Sequence, residues 1–394
     1  MTTIEHKNAV YAYYFYRLIQ RAENITLLYN TSSNGLNRGE WSRFMLQFLV
    51  EGPHEITMEY LEAGQSPQST TDILIEKTPE VLARLHHTYD SSNPRSLILS
   101  PSALNAYLDC RLRFYYRYVA RLKAPEEVSA DIDSALFGTI FHRSAQLAYT
   151  DLTANGRMVQ KDDLEKLLRN DVKLQGYVDR AFKEELFKVP LDEKPEYNGV
   201  QLINSKVIVS YLKQLLRNDL QYAPFEMIAM ESDVEEKIEI QTAQGPLTIR
   251  LGGTIDRIDS KEDTLRIVDY KTGGSPKTPA NIEQLFTPAE TRPNYIFQTF
   301  LYASIMSRQQ SLKVAPALLY IHRAASESYS PVIEMGEPRK TKIPVNNFAF
   351  FEDEFQERLK TLLEEIYDQK EPFTQTEDTK KCSFCDFKSI CKRG

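Results

Sequence analysis

Two aspartates and a lysine in the middle of the chain have the residue types and the spacing of a catalytic group. Asp256 lies in GGTIDRID, and Asp269 and Lys271 lie in TLRIVDYKTG. Both segments have the pattern of strands, and the polar segment DSKED between them indicates a turn. On a strand, Asp269 and Lys271 project from the same face. If the two strands pair, Asp256 lies beside Asp269, and two carboxylates meet one ammonium group.

This set of groups has the chemistry that phosphodiester hydrolysis needs. Carboxylates are hard oxygen ligands for Mg²⁺ or Mn²⁺. The metal can activate a water and neutralise charge on the phosphate, while Lys271 can orient or deprotonate that water. The alternative is an ordinary ion pair on an exposed strand face. The apolar run Leu265–Ile267–Val268 before Asp269 favours the site, because charged residues rarely enter buried strands unless paired or bound to metal.

Two acids further upstream, Glu231 and Glu235, are candidates for an additional metal ligand. Glutamates on a strand face are usually just solvated, so we leave both outside the predicted site.

The four cysteines form a second group of chemical interest. Cys382, Cys385 and Cys391 make the pattern C-x2-C-x5-C in the tail, and Cys110 lies far upstream. Three close thiolates can surround one centre if a fourth ligand comes from elsewhere. Iron–sulfur and zinc sites both accept four thiolates, so the spacing alone does not separate them. Disulfides are the weakest interpretation, because nothing indicates an oxidising compartment.

The elements that must position these groups follow a simple order. A Ser-Pro start predicts a helix in ILSPSALNAYLDCRLRFYYRYVARL, and FGTIFHRSAQLAYTDL predicts another. Alternating strand patterns begin near residue 232 and continue through the two aspartate segments. A helix in RPNYIFQTFLYASIMSRQQ then precedes the strand PALLYIHR, and a last helix covers about 347–369. Helix, three strands, helix, strand is the predicted order of an α/β domain.

These motifs together resemble the catalytic core of the PD-(D/E)XK nuclease superfamily, in its RecB-like branch. The resemblance rests on a G-x-x-x-H helix followed by D-(x12)-D-Y-K-T-G. It implies that His142 in FGTIFH helps to bind metal and that Asp256 and Asp269 are the two acids. Lys271 matches the motif lysine, and Tyr270 beside it is counted with the metal ligands. The alternative for His142 alone is an ordinary buried histidine.

The resemblance extends to a Q-x-x-x-Y pattern on the following helix, here Gln298 and Tyr302. Their i,i+4 spacing puts both on one helix face. In the family such residues position the lysine and touch the DNA backbone. The fold implied is a restriction-endonuclease-like core, a central mixed sheet flanked by helices, with added helices.

The cysteine spacing resembles the iron–sulfur staple of the AddB-type nucleases. There one cysteine precedes the nuclease core and three follow it, and S-x-S-x-L-x-x-Y-x-x-C ends here at Cys110. Arg111 stands where the family often has Pro. The resemblance implies a 4Fe-4S cluster on Cys110, Cys382, Cys385 and Cys391, with Zn²⁺ as the alternative. Such a cluster would be structural, since closing a long loop restrains the unfolded chain.

The first residues form a separate region in this interpretation. YFYRLIQRAENITLLYN resembles the last conserved segment of superfamily-1 helicases, with Arg21 at the arginine of that segment and Gln20 in place of its usual Thr. The chain contains no G-x-x-x-x-G-K-[ST], and hence no complete ATP site. We expect residues 1–95 to be a small helicase-like region and residues 96–394 the nuclease domain. The alternative for 1–95 is an unrelated cap.

The bulk composition fits a folded cytoplasmic protein with no membrane segment. The 394 residues are 42% hydrophobic and 26% charged, which is ordinary for a globular chain. The net charge of -7 does not exclude DNA, because screening lets a local basic groove act against an acidic whole. Such a groove is a candidate in RLRFYYRYVARLK, where basic residues alternate with rings; an amphipathic helix is the alternative.

The expected function is that of a metal-dependent DNA nuclease. By family analogy it is exonuclease-like, acts in DNA repair and recombination on single strands or duplex ends, and has a helicase partner or a missing N-terminal helicase region. The alternatives are a DNA-binding module that does not cut and a scaffold subunit of a helicase–nuclease complex.

Overall fold

A computed structural model describes residues 4–29, 41–52, 55–59, 72–123, 132–190, 192, 196–326, 328–337 and 339–393. Contacts between Cα atoms divide the chain into two compact units, Met1–Ser69 and Thr70–Gly394. No helix of the described residues is long and apolar enough to cross a membrane.

The first unit contains two helices, α1 (Ile4–Ile19) and α2 (Arg43–Glu51). The segments VYAYYFYRLIQRA and EWSRFMLQFLV predict these helices, which meet through the stacked rings of Phe15 and Phe44, 5.6 Å apart. The apolar run ITLLYN predicts a short strand between them, and this prediction is wrong, because residues 25–29 have no regular strand. Asn30 and the SSNG turn signal lie outside the described residues.

The second unit holds the remaining regular elements. Its helices are α3 (Pro79–Tyr89), α4 (Pro101–Asp109), α5 (Arg111–Phe114), α6 (Ser134–Leu152), α7 (Lys161–Leu168), α8 (Asp171–Phe182), α9 (Gly199–Tyr222), α10 (Glu283–Phe286), α11 (Asn294–Gln309), α12 (Glu352–Tyr367), α13 (Thr379–Cys382) and α14 (Lys388–Cys391). Its strands are β1 (Leu74–Ile75), β2 (Met158–Val159), β3 (Phe225–Thr242), β4 (Gly245–Lys261), β5 (Thr264–Lys271), β6 (Lys313–Tyr320), β7 (Glu334–Met335), β8 (Ile343–Pro344) and β9 (Phe373–Thr374).

A five-stranded mixed sheet lies at the centre of this unit, in the order β2-β3-β4-β5-β6. The pairs β2–β3, β3–β4 and β4–β5 are antiparallel, whereas β6 pairs with β5 in parallel. A parallel neighbour requires a crossover, and α10 and α11 provide it between β5 and β6. The predicted order of helix, three strands, helix and strand is confirmed, as is the central mixed sheet flanked by helices.

Apolar side chains cover both faces of the sheet because successive residues of a strand alternate between the faces. Ile267 packs in the cluster that includes Leu104 of α4, Phe300 of α11 and residues of α12. The next residue, Val268, packs in the other cluster, with residues of α6, α8 and α9. The strands that carry the candidate catalytic residues are therefore held between two layers of helices.

Residues before the predicted domain boundary also pack onto this unit. Strand β1 pairs with β9, and the buried Lys77 donates from Nζ to the carbonyls of Glu365 and Asp368, at 2.8 and 3.0 Å, at the end of α12. The contacts thus divide the chain after Ser69, whereas the sequence places a boundary after residue 95. The division into a helicase-like region 1–95 and a nuclease domain 96–394 stays a prediction.

The basic and aromatic segment 111–123 is not one continuous helix. Helix α5 passes into a single π-helical turn, Tyr115–Val119. The rings of Phe114 and Tyr116 are buried in the core. Two of the rings that we considered for base stacking are therefore unavailable, and this supports the interpretation as an amphipathic segment with its basic residues outward.

Replacing Phe300 by Ala should lower the free energy of unfolding by about 3–5 kcal/mol. The Phe300 ring is fully buried on α11 and packs against the rings of Phe348 and Phe355, at centroid distances of 5.3 and 6.0 Å. Urea unfolding followed by circular dichroism measures the change. The control Ser307→Ala, on the same helix, should change stability by less than about 0.5 kcal/mol. Equal losses in both variants would contradict this account of the core.

Candidate active site

The pairing of β4 with β5 brings the two predicted acids together. Arg257 is opposite Val268 in this ladder, so the neighbouring Asp256 lies beside Asp269. Asp256 Oδ2 accepts a hydrogen bond from the backbone N–H of Tyr270, at 2.6 Å. The side chain of one strand is thus fixed to the backbone of the next, at the point where both acids lie.

The predicted lysine and glutamine both contact Asp269. Lys271 Nζ lies 2.7 Å from Asp269 Oδ2 and 4.5 Å from the centre of the Tyr295 ring. Gln298 on α11 donates from Nε2 to Asp269 Oδ1, at 2.9 Å. The buried carboxylate of Asp269 is therefore held from both sides, which fixes its orientation.

The predicted Tyr302 approaches the same strands one helical turn beyond Gln298. A Cβ atom added at Gly253 would lie 2.8 Å from the Tyr302 hydroxyl, closer than real Cβ atoms come. Gly253 has a φ of +155°, a conformation that favours glycine. The missing side chain at Gly253 therefore leaves the space that the Tyr302 hydroxyl occupies.

His142 on α6 reaches the acids from a different helix. Its Nδ1 atom lies 3.4 Å from Asp256 Oδ1 and 3.4 Å from Glu231 Oε1. His142, Glu231 and Asp256 each offer one potential ligand atom, and these three atoms lie within 4.8 Å of one another. In the part of the chain that the structure describes, no other three His, Cys, Asp or Glu residues meet this condition.

Glu231 is the residue that sequence reasoning left out of the site. It lies between Met230 and Ser232 of β3, which pair with Arg257 and Ile255, and so it is across from Asp256. Its φ of +47° is unusual for a residue other than glycine. The acid at this place was visible in the sequence, but the backbone turn that directs it was not. Glu235, the other acid considered, lies 3.4 Å from Arg250 instead.

The donor set fits a divalent cation. Glu231 Oε1 and Asp269 Oδ2 are buried and have no well-aligned hydrogen bond, although His142 and Lys271 lie near them. Buried polar atoms are normally hydrogen-bonded, and an unsatisfied one requires an explanation. Carboxylate oxygens, together with the imidazole nitrogen of His142, are ligand atoms that Mg²⁺ or Mn²⁺ would use.

The protonation of the site follows from its burial and its crowded acids. Burial alone would lower the pKa of His142, but the Asp256 and Glu231 carboxylates raise that pKa to about 10. Burial raises the pKa of Asp269 to about 6, against the opposing effect of Lys271 and with a further increase from Asp256. A metal bound by His142 must therefore displace a proton from the imidazole, and binding should strengthen as the pH rises.

The four cysteines come to one place, although Cys110 is far from the others in sequence. All four line a single pocket together with Arg113, Lys381 and Arg393. Cys110 lies at the start of α5 and accepts from the Arg113 backbone N–H at 3.4 Å. Burial raises the pKa of the Cys382 and Cys391 thiols. Within the described residues, no three of the sulfur atoms form a group within 4.8 Å, so no compact thiolate cluster is seen.

The fold presents a group of acids that could hold a metal ion, and a comparison with known families identifies the class. The model of the PD-(D/E)XK nuclease superfamily matches residues 98–392. The chain therefore belongs to the PD-(D/E)XK nuclease superfamily. This class hydrolyses phosphodiester bonds, as the sequence predicted, and a divalent metal is typical of it.

Other comparisons add little to this result. No curated protein matches the chain. Six chains of solved structures match, among them one titled "Crystal structure of SSO0001", which is 12% identical with a TM-score of 0.21. That match covers 64% of this chain and 95% of the other. A TM-score this low supports no conclusion. The superfamily match neither includes the region before residue 98 nor selects the RecB-like branch.

Without metal, the Asp269→Asn variant should become more stable relative to wild type as the pH rises from 5 to 7. The pKa of Asp269 is raised in the folded state to about 6, so the folded protein binds more protons than the unfolded chain between about pH 4 and 6. Its free energy of unfolding therefore falls as the pH rises through that window, and Asn removes this loss. The advantage of the variant should grow by about 1 kcal/mol between pH 5 and pH 7.

Urea unfolding in EDTA at the two pH values measures this difference. Asp263→Asn is the matched control, because this exposed carboxylate has a pKa lowered by its hydrogen bond from Lys313. It should show no gain as the pH rises. A constant difference between Asp269→Asn and wild type at both pH values would contradict the assignment.

Proposed function

We propose that this protein is a Mg²⁺- or Mn²⁺-dependent DNA nuclease of the RecB/AddB type. The observation that carries the proposal is the group His142, Glu231 and Asp256 directly beside the Asp269–Lys271 pair. A cation held by His142, Asp256, Asp269 and the adjoining Tyr270, with Glu231 as an additional ligand, would activate a water and neutralise charge on the phosphate.

The remaining residues of the site have separate roles in this proposal. Lys271, held by Asp269, would orient the attacking water through its ammonium group, whose positive charge would also lie near the phosphate. Gln298 holds the Asp269 carboxylate in one orientation through its amide. Tyr302, one turn along the same helix, is buried and packs its hydroxyl against Gly253, so in this proposal it holds α11 against β4 beside the acids.

The substrate in this proposal is DNA, as single strands or duplex ends, and the action is exonuclease-like within repair and recombination. The D-Y-K-T-G and Q-x-x-x-Y motifs of the RecB-like branch support it. Residues 1–95 would be a helicase-like remnant, and the native partner a helicase subunit or a missing N-terminal helicase region. The alternative is a subunit that binds DNA, or serves as a scaffold of a helicase–nuclease complex, without cutting.

The cofactor of the cysteine pocket in this proposal is a 4Fe-4S cluster, with Zn²⁺ as the alternative. The support is that Cys110 and the tail cysteines line one pocket in spite of their separation in the chain. A bound cluster would join the segment before the sheet to the segment after it. That link would restrain the unfolded chain across nearly the whole domain.

Lys271→Ala and Asp269→Ala should each reduce metal-dependent DNA cleavage by at least about 10²-fold, because each removes a group that acts on the water or the metal. The assay follows end-labelled single- and double-stranded linear DNA with Mg²⁺, with Mn²⁺ and with EDTA. Lys237→Ala, an exposed lysine on β3 of the same sheet, is the matched control and should cleave as wild type does. Equal cleavage by all four proteins would refute the catalytic assignment, and DNA binding without cleavage would favour the alternative.

Anaerobically purified protein should absorb near 400 nm and contain about four irons per chain, since the cluster needs four thiolates. Cys385→Ser should lose most of this absorbance while keeping the Mg²⁺ site. If the anaerobic protein is colourless and contains one zinc per chain, the iron–sulfur cluster is refuted and the zinc alternative is supported.

A further inference from the structure

A buried network of charged and aromatic residues lies behind the active-site strands. Arg257, next to Asp256 on β4, is completely buried. It donates from Nη1 to Asp219 Oδ2, at 2.5 Å, and from Nε to Asp259 Oδ2, at 2.6 Å. The guanidinium group also lies between two rings, 5.0 Å from the centre of Tyr149 and 4.5 Å from that of Phe225.

Such a network is expected to add little to the free energy of unfolding. Taking an arginine and an aspartate out of water is strongly unfavourable, and well-packed apolar residues often stabilise a core as well or better. The Nη2 atom of Arg257 is moreover buried without a hydrogen-bond partner. Its contribution to stability therefore does not explain this network, and we consider instead which helices and strands it joins.

Arg257, on β4, is connected to two other elements of the candidate metal site, α6 and β5. On α9, Asp219 accepts from Arg257 and also from the Tyr149 hydroxyl. Tyr149 lies on α6, seven residues after His142, so the two side chains are two turns apart on one face of that helix. On β5, the Tyr270 hydroxyl is 3.4 Å from Arg257 Nη1.

The contacts of Tyr270 make the connection direct. Its ring lies 5.8 Å from the His142 ring, and its backbone N–H donates to Asp256. Tyr270 therefore contacts both His142 and Asp256, and it lies between Asp269 and Lys271 in the chain. A displacement of its side chain would shift all of these groups together.

We propose that Arg257 is a positioning residue: through Asp219, Tyr149 and Tyr270 it holds α6, β4 and β5 in the arrangement in which His142, Asp256 and Asp269 converge. Its side chain lies in the buried layer between the sheet and α6, and it touches neither metal nor DNA. This inference rests on the metal site of the proposed function.

Arg266 provides a matched control within the same network. It is also buried, and it donates to both oxygens of Asp259, at 3.0 and 2.9 Å, with its guanidinium group 3.6 Å from the centre of the Tyr222 ring. Its nearest approach to Asp219 is 3.9 Å. Replacing it should disturb the buried charges without disturbing the path through Tyr149 and Tyr270.

The test compares Arg257→Lys with Arg266→Lys. Each keeps the positive charge but loses the forked geometry of the guanidinium group, so each should lower the free energy of unfolding measured in EDTA.

Calorimetric titration with Mn²⁺ then separates the roles of the two arginines. Arg257→Lys should weaken Mn²⁺ binding by about 10- to 100-fold, as the loss of an outer partner of a metal site does, and Arg266→Lys by less than about twofold. In the cleavage assay, Arg257→Lys should raise the Mn²⁺ concentration for half-maximal rate more than it lowers the rate at saturating Mn²⁺.

Unchanged Mn²⁺ affinity in Arg257→Lys, or equal weakening in Arg266→Lys, would overturn the inference. If Arg257→Lys does not fold, Tyr149→Phe decides, because it removes only the hydroxyl that donates to Asp219. Mn²⁺ binding several-fold weaker than wild type supports the inference, and unchanged binding overturns it.

The wild-type protein separates this inference from the proposed function. Wild-type protein that binds Mn²⁺ without cutting DNA would contradict the nuclease proposal alone, whereas wild-type protein that binds no Mn²⁺ would contradict both.

Discussion

The register between β4 and β5 is the constraint on which the rest of the structure depends. Asp256 lies beside Asp269 only because Arg257 is opposite Val268. A slip of one residue would turn every side chain of one strand to the other face. It would bury Asp256 where Arg257 now lies, and would expose an arginine to the metal site. Such a slip is unfavourable because it would separate the buried Arg257 from Asp219 and Asp259.

Each helix layer then adds one part of the site. Helix α11 contributes Gln298, which fixes Asp269, and α6 contributes His142, which faces Asp256 and Glu231. The helices are held by their apolar faces, so the polar groups need not stabilise the fold themselves. This separation permits an arrangement that is unfavourable without metal, in which crowded acids raise the pKa of His142.

The sequence predicted most of this arrangement, and its failures have a common physical cause. The strands of Asp256 and Asp269 follow from alternation and a turn signal, and the spacing of Gln298 and Tyr302 follows from the helix period. The role of Glu231 was missed because it depends on a left-handed backbone conformation at one residue. The π-helical turn after α5 was missed for the same kind of reason. Patterns of residue type report periodicity, but they do not report a local departure from it.

The same reasoning explains why Arg257 was not recognised from the sequence. In GGTIDRID it reads as a polar residue on a half-exposed strand, and nothing local indicates complete burial. Its partners Asp219, Tyr149 and Tyr270 come from three elements far apart in the chain, and only the tertiary structure joins them. A buried ion pair of this kind is weak evidence for stability, but it strongly restricts which arrangements of α6, β4 and β5 are possible. In this site, most of the candidate metal ligands are readable from the sequence, whereas the contacts that join Arg257 to the strands and helices around them are readable only from the fold.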